Sequence, residues 1–322
     1  MSTLYPLKFI PILKDKIWGG NKLNKLLGKP TDSGSAGESW ELSDVEGNTS
    51  IVANGTLKGT SLKTLLQNHK ADLVGQKVYD QFGEKFPLLI KYIDAKQDLS
   101  VQLHPNDKLA KERHNSFGKT EMWYVMQADD NSNLIIDFNQ PVTNDLYLKH
   151  LNDKTLPSIL NFETVTRGDT FFIEVGRVHA IGAGVMLAEI QQTSDITYRV
   201  YDWDRVDDQG NSRELHNDLA IDAIDFNMPN NFKVSYETQQ NKPKNLVTCP
   251  YFTTNIIVIN SSIHKQNPHD SFMIYMAVGG DAVFEIDGKA TPLLYGETIL
   301  IPANIKEFRI TSTNAELLEV YI

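Results

Sequence analysis

The sequence predicts a mainly β protein, two tandem jelly-roll barrels with a few inserted helices. Three observations carry this expectation. The chain has 322 residues, more than one ordinary core accommodates and suited to roughly two domains. Its apolar residues fall mostly in short β-rich runs separated by Gly, Asn, Asp and Pro clusters, the grammar of small barrels rather than of helical bundles. A turn pattern also recurs. Residues 168–179 read Gly168, five residues, Glu174, Val175, Gly176, two residues, His179, and residues 296–307 read Gly296, five residues, Pro302, Ala303, Asn304, two residues, Glu307.

Each copy looks like the second half of a cupin motif, a strand followed by a tight turn that presents a residue at a barrel mouth. The copies differ where it matters. His179 offers an imidazole to a metal and Glu307 does not, so two tandem cupin (jelly-roll) barrels are expected, one with a site and one degenerate. Strands are expected over 86–92, 99–104, 122–127, 132–137, 170–175, 185–192, 253–259, 272–279, 282–286 and 317–322, and helices over 61–74, 105–113, 143–151 and 212–226. The first helix opens with Ser61 as N-cap and carries Leu62, Leu65 and Leu66 at helical spacing. The polar stretch 230–245 marks the boundary, giving residues 1–240 as the catalytic cupin domain and 241–322 as the degenerate one.

Composition excludes several classes of function. Forty-one acidic against 31 basic residues give a net charge of −10, with no clustered basic run, which argues against a nucleic-acid or anionic-membrane surface. No apolar stretch approaches the ~20 residues of a membrane span, and charges and prolines break the first sixteen residues, unlike a signal or transit peptide. Cys249 is the single cysteine, so neither an intrachain disulfide nor a thiolate metal site is available. A cytoplasmic enzyme or binding protein is the expectation.

Gln102 and His104 lie two apart in a strand stopped by Pro105, so period-two alternation puts them on one face. Glu121 opens the next strand and His179 comes from the later turn. Two imidazoles and a carboxylate, with an amide as a weaker fourth ligand, suit Zn²⁺ or another borderline divalent ion with room left for substrate. A lone histidine on a strand is more often a core or surface residue, and His69, His114, His150, His216, His264 and His269 are read that way.

The run Glu189-Ile190-Gln191-Gln192-Thr193-Ser194-Asp195-Ile196-Thr197-Tyr198-Arg199-Val200-Tyr201-Asp202-Trp203-Asp204-Arg205 follows. Before it stand, in chain order, Ile17-Trp18-Gly19-Gly20, Glu38-Ser39-Trp40-Glu41, Phe86-Pro87-Leu88-Leu89-Ile90-Lys91, Val101-Gln102-Leu103-His104-Pro105, Gly118-Lys119-Thr120-Glu121-Met122-Trp123 and Val178-His179-Ala180-Ile181-Gly182. Together they resemble type I mannose-6-phosphate isomerase (phosphomannose isomerase), in the short bacterial branch of that cupin family. The resemblance implies one zinc per chain, with His104, Glu121 and His179 as ligands, Gln102 as a variable extra ligand and Arg199 as the active-site arginine. Two features depart from the family: its long helical insertion has no counterpart here, and Glu174 stands where the general cupin turn prefers proline.

Read without the family, Glu189, Asp195 and Arg199 share odd parity, so an unbroken strand would aim all three to one side. A solvated polar ladder would look the same, and the resemblance decides for the cavity. Lys91 and Lys119 are surface lysines by ordinary expectation, but their places beside the metal motifs make them, with Glu189 and Asp195, candidates to bind a sugar phosphate. Trp18, Trp40 and Trp123 are read as core aromatics. The implied reaction interconverts mannose 6-phosphate and fructose 6-phosphate through an enediol or enediolate, with the proton carrier open among Glu189, Asp195, a lysine and metal-bound water. An Fe(II) cupin dioxygenase and a non-catalytic sugar-binding cupin are the competing readings, and homo-oligomerisation is left open.

Overall fold

The computed structural model describes residues 4–206, 209–227 and 232–322. Among these, the strands of the N-terminal part are β1 (Ile12–Gly20), β2 (Ala36–Leu42), β3 (Asp44–Val45), β4 (Asn48–Thr49), β5 (Leu88–Asp94), β6 (Val101–Leu103), β7 (Glu121–Ala128), β8 (Asn133–Phe138), β9 (Leu160–Thr164), β10 (Thr170–Ile173), β11 (His179–Ile181), β12 (Val185–Gln192) and β13 (Tyr198–Tyr201). Those of the C-terminal part are β14 (Pro243–Thr248), β15 (Thr253–Ile259), β16 (Ser262–Gln266), β17 (Met273–Gly279), β18 (Ala282–Ile286), β19 (Lys289–Leu293), β20 (Thr298–Ile301), β21 (Glu307–Thr311) and β22 (Ala315–Tyr321). The helices are α1 (Lys22–Lys25), α2 (Leu62–Val74), α3 (Gln76–Phe82), α4 (Asp107–His114), α5 (Asn144–Asn152) and α6 (Asn217–Ala220). None is long and apolar enough to cross a membrane.

The topology is a cupin pair. A six-stranded sheet, β1-β2-β5-β12-β7-β10, faces a five-stranded one, β13-β6-β11-β8-β9; a second pair reads β14-β15-β22-β17-β20 and β16-β21-β18-β19. The order β5-β12-β7-β10 of the first unit is matched by β15-β22-β17-β20 in the second, and β6-β11-β8-β9 by β16-β21-β18-β19. The recurring turn pattern is therefore a repeat of fold. Arg177 N–H donates to Glu174 O at 3.2 Å in one copy, and Ile305 N–H donates to Pro302 O at 3.0 Å in the other. His179 and Glu307 open the equivalent strands β11 and β21.

Strand alternation divides the six-stranded sheet between two jobs. On β5, β7 and β12, Ile90, Tyr92, Met122, Tyr124, Ala188 and Ile190 point away from the site and pack against Ile256, Ile274, Met276, Leu318 and Val320 of the second unit. The intervening residues point inward, where Ile93, Trp123, Val125 and Leu187 meet Leu134, Ile136 and Ile181 from the facing sheet. A separate core from β15, β17, β18, β20, β21 and β22 fills the second unit. Both faces of β5, β12 and β17 are covered, so every residue in these strands is buried.

Every expected strand has a counterpart, and three of the expected helices do. Ser61 Oγ accepts from Thr64 N–H at 3.1 Å as the cap of α2. The helix expected over 212–226 shrinks to the single turn α6, because tertiary partners claim its ends. His216 N–H donates to Arg199 O at 2.7 Å and Asp225 N–H to Gly176 O at 3.1 Å, while Arg213 pairs with Asp202 at 2.5 Å. His264 stands on strand β16 rather than in a polar loop. Asn230 and Asn231 of the expected boundary stretch lie outside the described residues.

Because the outward face of the six-stranded sheet shares one core with the second unit, trimming that core from either side should unfold the site. Leu318→Ala, at a fully buried position on β22, is expected to cost about 2–5 kcal/mol. A denaturation midpoint unchanged from wild type would show that the contact between units carries no stability.

Candidate metal centre and substrate cavity

Three side chains converge from the two sheets of the first unit. Glu121 is the first residue of β7, whereas His179 opens β11 directly opposite Gln102 on β6. His104 follows β6 where Pro105 ends the strand. Their nearest donor atoms lie within 4.8 Å of one another, and all three residues are buried. No other such cluster of His, Cys, Asp and Glu occurs among the described residues.

Hydrogen bonding fixes the histidine tautomers. His104 Nδ1 lies 2.8 Å from Ile196 O and His179 Nδ1 lies 2.8 Å from Arg177 O. A carbonyl only accepts, so both Nδ1 atoms carry the proton. Both Nε2 atoms are then bare lone pairs, and they face each other at 3.2 Å. Two acceptors at that distance repel unless a cation joins them. Protonating either ring is opposed by burial, which lowers the pKa of His104 far below the usual imidazole value and that of His179 to about 3. Glu121 Oε1 is buried without a hydrogen-bond partner among the described residues, 3.5 Å from His179 Nε2. Burial, and then the charge of Glu189, pushes the Glu121 carboxyl up. Lys119 answers the deficit in part, its ammonium 2.5 Å from Glu121 Oε2 and 2.9 Å from His104 Nε2. Two ring lone pairs held by backbone carbonyls and an orphaned carboxylate oxygen fit a borderline divalent ion.

The cluster borders a cavity of about 460 Å³. His179, Gln102 and Lys119 line its buried end, together with Lys91, Glu189 and Trp123. Lys91 and Glu189 come from adjacent strands in register and pair at 2.9 Å. Trp123 Nε1–H donates to the other Glu189 oxygen at 2.9 Å. Burial raises the pKa of Glu189, but Lys91 and Lys119 outweigh it and hold the carboxyl low. Glu38 follows the same logic, with burial opposed by Lys91 and Lys16.

Arg199 enters from β13, half-buried, donating from Nε to Ser100 Oγ at 3.2 Å and from Nη1 to Glu214 O at 2.8 Å. Burial and then Arg213 lower its pKa. His216 Nδ1 accepts the Arg199 backbone N–H at 3.1 Å and so steadies the strand that carries it.

Glu189, Asp195 and Arg199 all line the cavity, but not by sharing an unbroken strand. Strand β12 ends at Gln192 and Arg199 belongs to the opposite sheet, with exposed Asp195 in the connection. Lys91 and Lys119 are buried and paired with carboxylates rather than surface lysines. Trp18, Trp40 and Trp123 are buried as expected and also line the cavity. Sequence reasoning missed Lys14, Lys16, Glu38, Ser100, Arg213 and His216. The alternation Lys14, Lys16, Trp18 on β1 and Glu38, Trp40 on β2 was the signal available for three of these positions, Lys14, Lys16 and Glu38.

Comparison with known proteins identifies the chain's relatives. A model of the type I phosphomannose isomerase catalytic domain matches residues 7–136, and one of the mannose-6-phosphate isomerase cupin domain matches residues 242–322. Mannose-6-phosphate isomerase ManA of Bacillus subtilis is 34% identical over 313 residues, 96% of each chain. The chain belongs to the type I phosphomannose isomerase family. A Streptococcus mutans mannose-6-phosphate isomerase is also 34% identical, over 94% of each chain. The crystal structure of the B. subtilis mannose 6-phosphate isomerase superposes with a TM-score of 0.89 at 31% identity, covering 99% of this chain and all of that one. As a phosphomannose isomerase family member the chain is an isomerase on a cupin scaffold.

The Lys91–Glu189 pair gives a test of the buried wall. Lys91→Met leaves a buried carboxylate without its cation, which is expected to cost about 3–5 kcal/mol. Lys16→Met, across a more exposed 3.3 Å pair with Glu38, should cost roughly 0–1 kcal/mol. Equal losses in thermal or denaturant unfolding would contradict the assignment.

Proposed function

We propose that the chain interconverts mannose 6-phosphate and fructose 6-phosphate, using one divalent ion held by His104, Glu121 and His179, with the Gln102 amide as a fourth donor. The observation that carries this reading is the pair of facing imidazole lone pairs beside an orphaned carboxylate oxygen, at the end of a cavity rich in lysine and arginine. Two imidazoles and a carboxylate favour zinc. When bound, the ion would supply positive charge to the sugar oxygen on which charge develops as a proton moves between C1 and C2.

The chain's own residues divide the remaining work. Arg199 is a poor base, since a guanidinium keeps its proton even where burial and Arg213 lower its pKa; it offers fixed donors to a developing enediolate. Lys119, against the ligand cluster, and Lys91, on β5 of the same sheet that carries Glu121, would hold sugar hydroxyls at the reacting end. Glu189 is kept ionised and is the base available beside them, and Asp195 offers a second carboxylate at the cavity wall. Six lysines and arginines along one cavity, Lys14, Lys16, Lys91, Lys119, Arg199 and Arg213, in a chain of net charge −10, favour a phosphosugar over the substrates of an Fe(II) dioxygenase.

In this reading residues 1–240 carry the site and 241–322 a unit without it. Register supports that division: Glu307 stands where the first unit has His179, and Met273, opposite Ile301, where it has Glu121, opposite Ile173.

A coupled assay on mannose 6-phosphate should show turnover that a chelator abolishes and added zinc restores. Elemental analysis should find about one ion per chain, lost in His104→Ala and His179→Ala; normal occupancy in both variants would end the ligand set. Arg199→Lys should lower kcat on the order of 10²-fold while metal content stays intact. Full kcat with weakened substrate affinity would move Arg199 to ground-state binding.

A further inference from the structure

The cations around the cavity are not equivalent. Lys16 lies 3.3 Å from Glu38, Lys91 2.9 Å from Glu189, Lys119 2.5 Å from Glu121 and Arg213 2.5 Å from Asp202. Each is neutralised by a carboxylate. Lys14 and Arg199 are different: no carboxylate among the described residues lies within 4 Å of either. Lys14 donates to the neutral Asn48 Oδ1 and stands 5.0 Å from the centre of the Trp40 ring. Among the described residues the Arg199 side chain hydrogen-bonds only the Ser100 hydroxyl and the Glu214 backbone carbonyl. Both lie on edge strands, β1 and β13, and both line the cavity.

A fixed charge without a counter-ion, partly out of water, is a standing attraction for an anion. From the pattern of neutralisation we propose that Lys14 is the residue that receives the substrate's phosphate and so selects phosphorylated over free sugars, with Asn48 and Trp40 holding its ammonium in place. The inference rests on the isomerase reading for the identity of the sugar, but not for the anion. Lys14 and Lys91 both lie about 5 Å from the Trp40 ring centre, so their ammoniums are no more than about 10 Å apart. A hexose phosphate is long enough to cover a separation within that limit, with its hydroxyls beside Lys91 and its phosphate at Lys14. The lysines nearest the metal cluster are thereby relieved of the phosphate role that their sequence positions suggested.

Two measurements on the full chain separate this proposal from the reading beneath it. In the first, inorganic phosphate is titrated against wild type, Lys14→Met and Lys14→Arg by calorimetry. Wild type should bind phosphate, Lys14→Met should bind at least ten-fold more weakly, and Lys14→Arg should recover much of the loss. Equal binding in wild type and Lys14→Met, or none in wild type, overturns the proposal. In the second, kinetics on mannose 6-phosphate should show KM raised ten-fold or more in Lys14→Met, with metal content and melting temperature as in wild type; an unchanged KM overturns it. Phosphate binding that depends on Lys14 in a wild-type enzyme with no turnover of mannose 6-phosphate would sustain the anion site and overturn the isomerase reading instead.

Discussion

Two histidine lone pairs held 3.2 Å apart in a buried pocket are the constraint from which the rest of the site follows. Each ring is pinned by a backbone carbonyl at its far nitrogen, so neither can turn away or present a proton. Burial makes protonation costly, and the neighbouring carboxylate keeps one oxygen without a donor. Such a cluster is poorly tolerated unless a cation completes it. Lys119 supplies one positive charge at the edge of the cluster, to Glu121 Oε2 and His104 Nε2.

The same sheet that presents the site also anchors the molecule, and the two duties do not interfere because a strand has two faces. Outward side chains of β5, β7 and β12 join a core shared with the second unit, while inward ones build a charged wall. Burial of both faces lowers the effective dielectric around Lys91 and Glu189, which strengthens their pairing and makes loss of either partner severe. The second unit thus contributes to the site mechanically. By closing the outer face of the sheet it keeps the inner face rigid.

How much of this was readable in the sequence depended on whether the information was local. The Gln102 and His104 alternation needed only a strand ended by Pro105, and the link from residues 168–179 to 296–307 needed only turn residues, so both could be seen in one dimension. The fold class followed from short apolar runs and survives in the two sheet pairs. Lys91 could not be recognised as buried, because its neutralisation by Glu189 depends on cross-strand register between segments 98 residues apart. Arg199 and Glu189 were placed in the cavity by the family resemblance, since the parity they share is broken by the fold at Gln192; they meet there because two different sheets do. Strand β1 was overlooked because Lys14, Asp15 and Lys16 interrupt its apolar pattern, and those charges are there because its inward face lines a polar cavity. The helix expected over 212–226 gave way to contacts with β13, which local propensity does not record.

The central claim is that the facing imidazoles exist to hold an ion. Anomalous diffraction at a metal absorption edge, on crystals of the protein as purified, tests it most directly. The account predicts one strong peak per chain at about 2.0–2.1 Å from His104 Nε2 and His179 Nε2 and at about 2.0–2.2 Å from a Glu121 oxygen. A crystal without that peak, with the two rings still facing each other across Lys119, would contradict it.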